Sequence, residues 1–117
     1  MSAMQERRLS AECEECVESM FGAPERERVR QMLIEECGNN LPFSGDLDVG
    51  ALDRCRFAVL KLSEGDGEKF RAAIALAKQD WRDLFVAAGF AHDTTAHRRW
   101  YLTLKARKVQ SRDAQGT

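Results

Sequence analysis

Cys13-Glu14-Glu15-Cys16 sets two thiols three residues apart, the spacing that lets a pair converge on one metal ion or close one disulfide. A tetrahedral zinc site needs two more ligands. The remaining candidates, Cys37, Cys55, His92 and His97, form neither a second CxxC nor an HxxxH pair. The intervening glutamates also favour the protonated thiols, against redox use. All four cysteines fall on apolar helical arcs and read as reduced, buried core residues, as free cysteine commonly is. Neither a metal nor a cofactor is expected.

Glu12, Glu14, Glu15, Glu18, Glu35 and Glu36 offer enough carboxylates for a di-metal helical bundle. That chemistry also needs a Glu-x-x-His pair, and neither histidine has a glutamate three residues before it. The acids therefore read as solvated helix faces. His92 and His97 bracket the start of a C-terminal helix, where imidazoles serve in general acid–base work or beside a phosphate held by free amides. The sequence places no serine, cysteine or acid as their partner, so they read as a loop histidine and a helix-surface histidine. Gly65-Asp66-Gly67 does not follow a strand, which removes a nucleotide-loop reading.

Residues 81–101 carry the most suggestive order: a helix, a glycine turn, then a second helix with Thr94, Thr95, His97, Arg98 and Arg99 near its start. A DNA-reading helix-turn-helix uses this order, with polar and basic side chains entering the major groove. Phe85 is bulky where that motif commonly has a small residue, and the link from Gly89 to Asp93 is loose. An ordinary helical corner packed by Phe90 and Trp100 is the better reading.

Five helices must position these residues. Leu9, Cys13, Cys16, Val17 and Met20 recur at the 3-and-4 spacing of one helical face, which predicts a first helix over 2–20, ended by Phe21-Gly22. Pro24 followed by Glu25 and Glu27 starts a second, with Val29, Leu33 and Cys37 inward, Met32 and Ile34 beside them, and Gly38 as its stop. Residues 39–45 lack a period and form the longest loop, pinned by Leu41 and Phe43. Asp46 or Asp48 caps a third helix carrying Leu52, Cys55, Val59 and Leu62. Over 68–88, Phe70, Ala73, Ile74, Ala77, Trp81, Leu84, Phe85 and Ala88 fall within about a 120° arc. Ala72, Ala75, Leu76, Val86 and Ala87 make its other flank apolar as well. This fourth helix is therefore expected at the centre of an irregular bundle. A fifth, capped by Asp93 or Thr94, carries Ala96, Trp100 and Leu104.

The expectation is an all-α protein with one compact domain over 1–107 and a disordered tail over 108–117. A chain of 117 residues with 44% hydrophobic and 32% charged content has the composition of an ordinary globular domain. No apolar run approaches the roughly 20 residues that span a bilayer, and residues 1–8 lead into charge rather than a secretion core. A cytoplasmic protein without a membrane role is expected. The net charge of −1 lacks the excess that accompanies nucleic-acid binding.

Charge is unevenly spread, however. From residue 92 onward Arg98, Arg99, Lys105, Arg107, Lys108 and Arg112 meet only Asp93 and Asp113, a local +4 that leaves −5 for residues 1–91. Without a catalytic constellation, the leading expectation is a noncatalytic interaction or regulatory module whose partner is another protein. Its candidate surface comprises His92, His97, Arg98, Arg99, Tyr101 and Lys105. Nucleic-acid binding through 81–101 and the basic tail is the alternative, and a small enzyme with no recognisable site is the second.

One outcome follows for the thiols. Native-state alkylation of all four cysteines should be slow, elemental analysis should find no stoichiometric zinc, and a chelator should leave the fold intact. Unfolding by the chelator would identify a structural metal, whose binding free energy is part of the folding free energy.

Overall fold

The structure is a computed structural model that describes residues 9–37, 49–91, 93 and 95–116, with side chains described for 9–37, 52–91, 93 and 95–107. Six helices lie among the described residues: α1 (Ala11–Met20), α2 (Ala23–Glu36), α3 (Val49–Ser63), α4 (Gly67–Gln79), α5 (Trp81–Ala88) and α6 (Ala96–Gly116). They build the expected all-α domain around one core. No helix among the described residues is long and apolar enough to cross a membrane. The expected loop anchors Leu41 and Phe43, the caps Asp46 and Asp48, Thr94 and the stop Gly38 lie outside the described residues.

Local chemistry explains the helix boundaries. Ser10 has extended backbone and its hydroxyl accepts from Cys13 N at 3.1 Å, which starts α1 at Ala11; residues 2–8 of the expected first helix lie outside the described residues. Asp66 caps α4 in the same way, accepting from Lys69 N at 3.0 Å. Between α3 and α4 the chain turns through Glu64 and Gly65, both at positive φ. A Cβ on Gly65 would stand 2.9 Å from the Met20 carbonyl oxygen, so this turn packs directly on the end of α1 and only glycine fits.

The helix expected over 68–88 is two helices. Asp80 is extended, with φ −158° and ψ 101°; its N–H closes α4 on Leu76 O while its carboxylate accepts from Arg82 N at 3.0 Å and opens α5. Aspartate competes with the helical backbone for such hydrogen bonds, and the continuous apolar arc on either side concealed the break. Gly89, at φ 79°, then ends α5 in the left-handed conformation.

The central element also differs from expectation. Of the second flank expected to be packed, Leu76 is partly buried against the core, whereas Ala72, Ala75, Val86 and Ala87 are exposed. Small alanines and a single valine on a helix are tolerated in water, so their apolar character did not require cover. Helix α3 occupies the centre instead, touching α1, α4, α5 and α6. Six consecutive residues, Cys55, Arg56, Phe57, Ala58, Val59 and Leu60, are buried, which covers the helix all the way round.

Expected inward positions on α1 and α2 are buried: Leu9, Cys13, Cys16, Val17, Val29, Leu33 and Cys37. Trp81, expected in the middle of the core, is half-buried at the first position of α5, with its ring 5.5 Å from Phe85 and Arg82 over its face at 5.4 Å. The largest fully buried side chains are Phe57, Phe70 and Phe90. Phe57→Ala should therefore lower the unfolding free energy by about 3–5 kcal/mol, the usual range for truncating a core aromatic. Trp81→Ala should cost less, and urea denaturation of the two variants orders them.

Candidate functional site

The N-terminal half of α6 meets α1 and α3, and the ionisable side chains of the sequence-predicted surface gather at this junction. The inward stripe of α6 is His97 and Tyr101, spaced by four, while Ala96, Trp100 and Leu104 are partly buried beside it. His97 is 7% exposed, so it is not the helix-surface residue expected from sequence. An imidazole has an apolar body as well as a polar edge, and here the body packs against Phe57 at 5.3 Å and Phe90 at 6.3 Å between ring centroids. Tyr101 is likewise buried against Phe57, at 6.0 Å, and its hydroxyl donates to the Glu15 carboxylate of α1. That bond, followed by burial, pushes the Tyr101 phenol up to about 12.

Around His97 stand Asp53 and Arg54 of α3, Glu12 of α1 and Arg98 of α6. Asp53 is half-buried and accepts a 2.8 Å hydrogen bond from the Ser10 hydroxyl. Burial raises its pKa, with the Ser10 bond and the nearby His97 charge acting in the opposite direction. Ser10, Asp53 and His97 do not form a nucleophilic relay. The serine hydroxyl is committed to Asp53 and Cys13 N, and His97 Nδ1 is buried without a hydrogen-bond partner. Burial lowers the His97 pKa, so the ring is held neutral.

Two bases of α3 hold the corner that precedes α6. Arg54 donates to Phe90 O at 2.7 Å and lies 4.6 Å over the Phe85 ring. Lys61 donates to Ala88 O at 2.6 Å and lies 5.1 Å from the Phe90 ring centroid. These cations meet carbonyls at the negative end of α5, where positive charge is favoured. Asp93 accepts from the Thr95 N–H and hydroxyl, both at 2.8 Å, and pairs with Arg99 at 2.5 Å. The Thr95 bonds first and then Arg99 hold its carboxyl well below the usual carboxylate range.

The outward side of α6 is different. Arg98, Arg99, Leu102, Lys105 and Arg107 are exposed, with Arg98 3.5 Å from Glu12. Leu102 and Val86 are the exposed large hydrophobic side chains among the described residues. The expected surface is thus divided: Arg98, Arg99 and Lys105 face solvent, His97 and Tyr101 belong to the core edge, and His92 lies outside the described residues. Sequence reading missed Ser10, Asp53, Glu15 and Arg56 as participants. Only Arg56, set in the apolar run Cys55–Leu60, carried a local signal of a charge drawn inward.

The CxxC thiols are both fully buried. Burial is the first cause of the rise in both, pushing Cys16 up to about 12, and Glu14 is only a small contributor at Cys13. Among the described residues no three histidine, cysteine or acidic side chains are arranged to hold a metal ion.

The buried neutral imidazole makes stability depend on pH. The unfolded chain takes up a proton near 6.5 and the folded chain only at lower pH, so stability is complete above 6.5 and falls as pH drops through it. Asp53, whose pKa is raised, works in the opposite sense at more acidic pH, where the folded chain binds its proton first. The urea midpoint should therefore fall between about pH 7.5 and about pH 5.5, and His97→Gln should flatten that dependence.

Compared with known protein families, with curated proteins and with solved structures, the chain matches none of them.

Proposed function

We propose that this chain is a noncatalytic interaction module that binds an acidic protein segment along the outer side of α6. The observation that carries this reading is the composition of that side: the exposed Arg98, Arg99 and Lys105 lie around the exposed Leu102. Arg98, Leu102 and Lys105 recur at i, i+4 and i+7, one stripe of a helix whose 21 residues extend roughly 30 Å. Three cations around one apolar contact suit a partner with carboxylates flanking an apolar anchor. The molecule answers to acids in the same way internally, since Glu12, Glu15 and Asp93 meet Arg98, Tyr101 and Arg99.

Nucleic acid is the less favoured occupant. A recognition helix presents its first turns to base edges, but here His97 and Tyr101 are turned inward and Glu12 stands beside Arg98.

Selection of a randomised peptide library against the whole chain should enrich acidic sequences with a central apolar residue. Leu102→Asp should weaken the selected peptide at least tenfold (~1.4 kcal/mol), and Arg98→Ala with Arg99→Ala should weaken it and reduce its salt dependence. Fluorescence anisotropy at ~150 mM salt reads both, alongside labelled duplex and single-stranded oligonucleotides. Submicromolar oligonucleotide binding lost in the double arginine variant would replace this reading with nucleic-acid recognition.

A further inference from the structure

Among the described residues α6 gives the interior two buried side chains, Tyr101 in the hydrophobic core and His97 beside it; Ala96, Trp100 and Leu104 are only partly buried. The helix touches α1 and α3, and its polar links to α1 are the Tyr101 hydroxyl on Glu15 and Arg98 on Glu12 at 3.5 Å. The remaining core residues, Leu9 to Phe90, precede α6 in the chain. The corner at their end is fastened to α3 without α6, by Arg54 on Phe90 O at 2.7 Å and Lys61 on Ala88 O at 2.6 Å.

We infer that His97 is a proton-operated latch: uptake of a proton by its imidazole releases α6 from α1 and α3 while α1–α5 stay folded. The ring is 7% exposed and lies between Phe57 and Phe90, at 5.3 and 6.3 Å between centroids, and its Nδ1 is buried without a hydrogen-bond partner. An imidazolium donates from both nitrogens, so the closed helix would hold a charged N–H with no acceptor. Release brings both nitrogens to water. A helix docked by one stripe opens at lower free energy than one covered all round, as α3 is.

Charged groups face the ring from each helix packed on it: Glu12 from α1, Asp53 and Arg54 from α3 and Arg98 from α6 itself, while the corner after α5 presents the Phe90 ring. The two acids favour the charged ring and the two bases oppose it. Each is already engaged, Asp53 by Ser10, Glu12 by Arg98 and Arg54 by Phe90 O. Loss of hydration therefore decides, and it favours the neutral ring. The latch acts from the inner stripe, whatever binds the outer side of α6.

The test is hydrogen–deuterium exchange of the whole chain at about pH 7.5 and about pH 5.5, corrected for the intrinsic exchange rate at each pH and followed from no urea to low urea. Peptides covering 96–104 of α6 should exchange faster than those covering 55–60 of α3 at both pH values, with little response to urea, as a local opening does. Acid should speed the α6 exchange several-fold, about tenfold being the ceiling for one proton bound at the ordinary imidazole value. His97→Phe keeps a ring between Phe57 and Phe90 and cannot titrate, so it should remove the acid response, as should His97→Gln. Tyr101→Phe loses the bond to Glu15 and should speed α6 exchange by a similar factor at both pH values, leaving the acid response in place. Exchange of α6 and α3 at one common, urea-sensitive rate, no acid response in α6, or an unchanged response in His97→Phe would overturn the proposal.

Discussion

Helix α3 carries a guanidinium into the core along with its apolar side chains. Burying Phe57, Val59 and Leu60 contributes on the order of 1.5–3 kcal/mol each, whereas a buried charge left without partners costs several kcal/mol. These terms are comparable, so the position of Arg56 constrains everything packed around it. Its Nε reaches the Cys37 carbonyl at 3.2 Å, and Asp53 lies near enough to act on its charge. The end of α2 is thereby held against α3. Burial lowers the Arg56 pKa, and the acid and thiols around it oppose that change.

The same helix settles the course of the chain on its other sides. Arg54 and Lys61 project from α3 to the carbonyls that close α5, while the rings of Phe85 and Phe90 cover the two cations. A cation over an aromatic face adds about 0.5–2 kcal/mol, and its charge suits the negative end of a helix. Because those carbonyls lie just before α6, α3 also aims the last helix. Helix α6 then meets α1 through Tyr101 and Glu15 and through Arg98 and Glu12, one contact sheltered and the other open to solvent.

Helix α6 consequently has two chemical sides produced by one arrangement. Its inner stripe is aromatic and neutral, with His97 between Phe57 and Phe90, and its outer side is cationic around Leu102. The inner stripe can therefore be a determinant of stability and the outer one a determinant of binding, with little shared machinery. Ion pairs open to solvent, such as Arg99 with Asp93, are screened by water and contribute little to stability, so an acidic partner can compete for them at small cost to the fold.

The fold class was legible in the sequence because helical amphipathicity is a local property. Leu9, Cys13, Cys16 and Val17, and Val29, Leu33 and Cys37, share faces through backbone geometry alone, and all are buried. The clustering of basic residues after position 92 was equally legible, since charge requires only counting. Which helix lies at the centre was not. Periodicity reports how much apolar surface a helix offers, but not which neighbours cover it, and α3 is covered on every side, Arg56 included. The break at Asp80 was present locally as a capping residue and hidden by the continuity of the arc around it. The inward turn of His97 and Tyr101 arose only from tertiary contacts, because amphipathic rings can face either water or core. Phe57, Phe90 and Glu15, distant in sequence, decided that orientation.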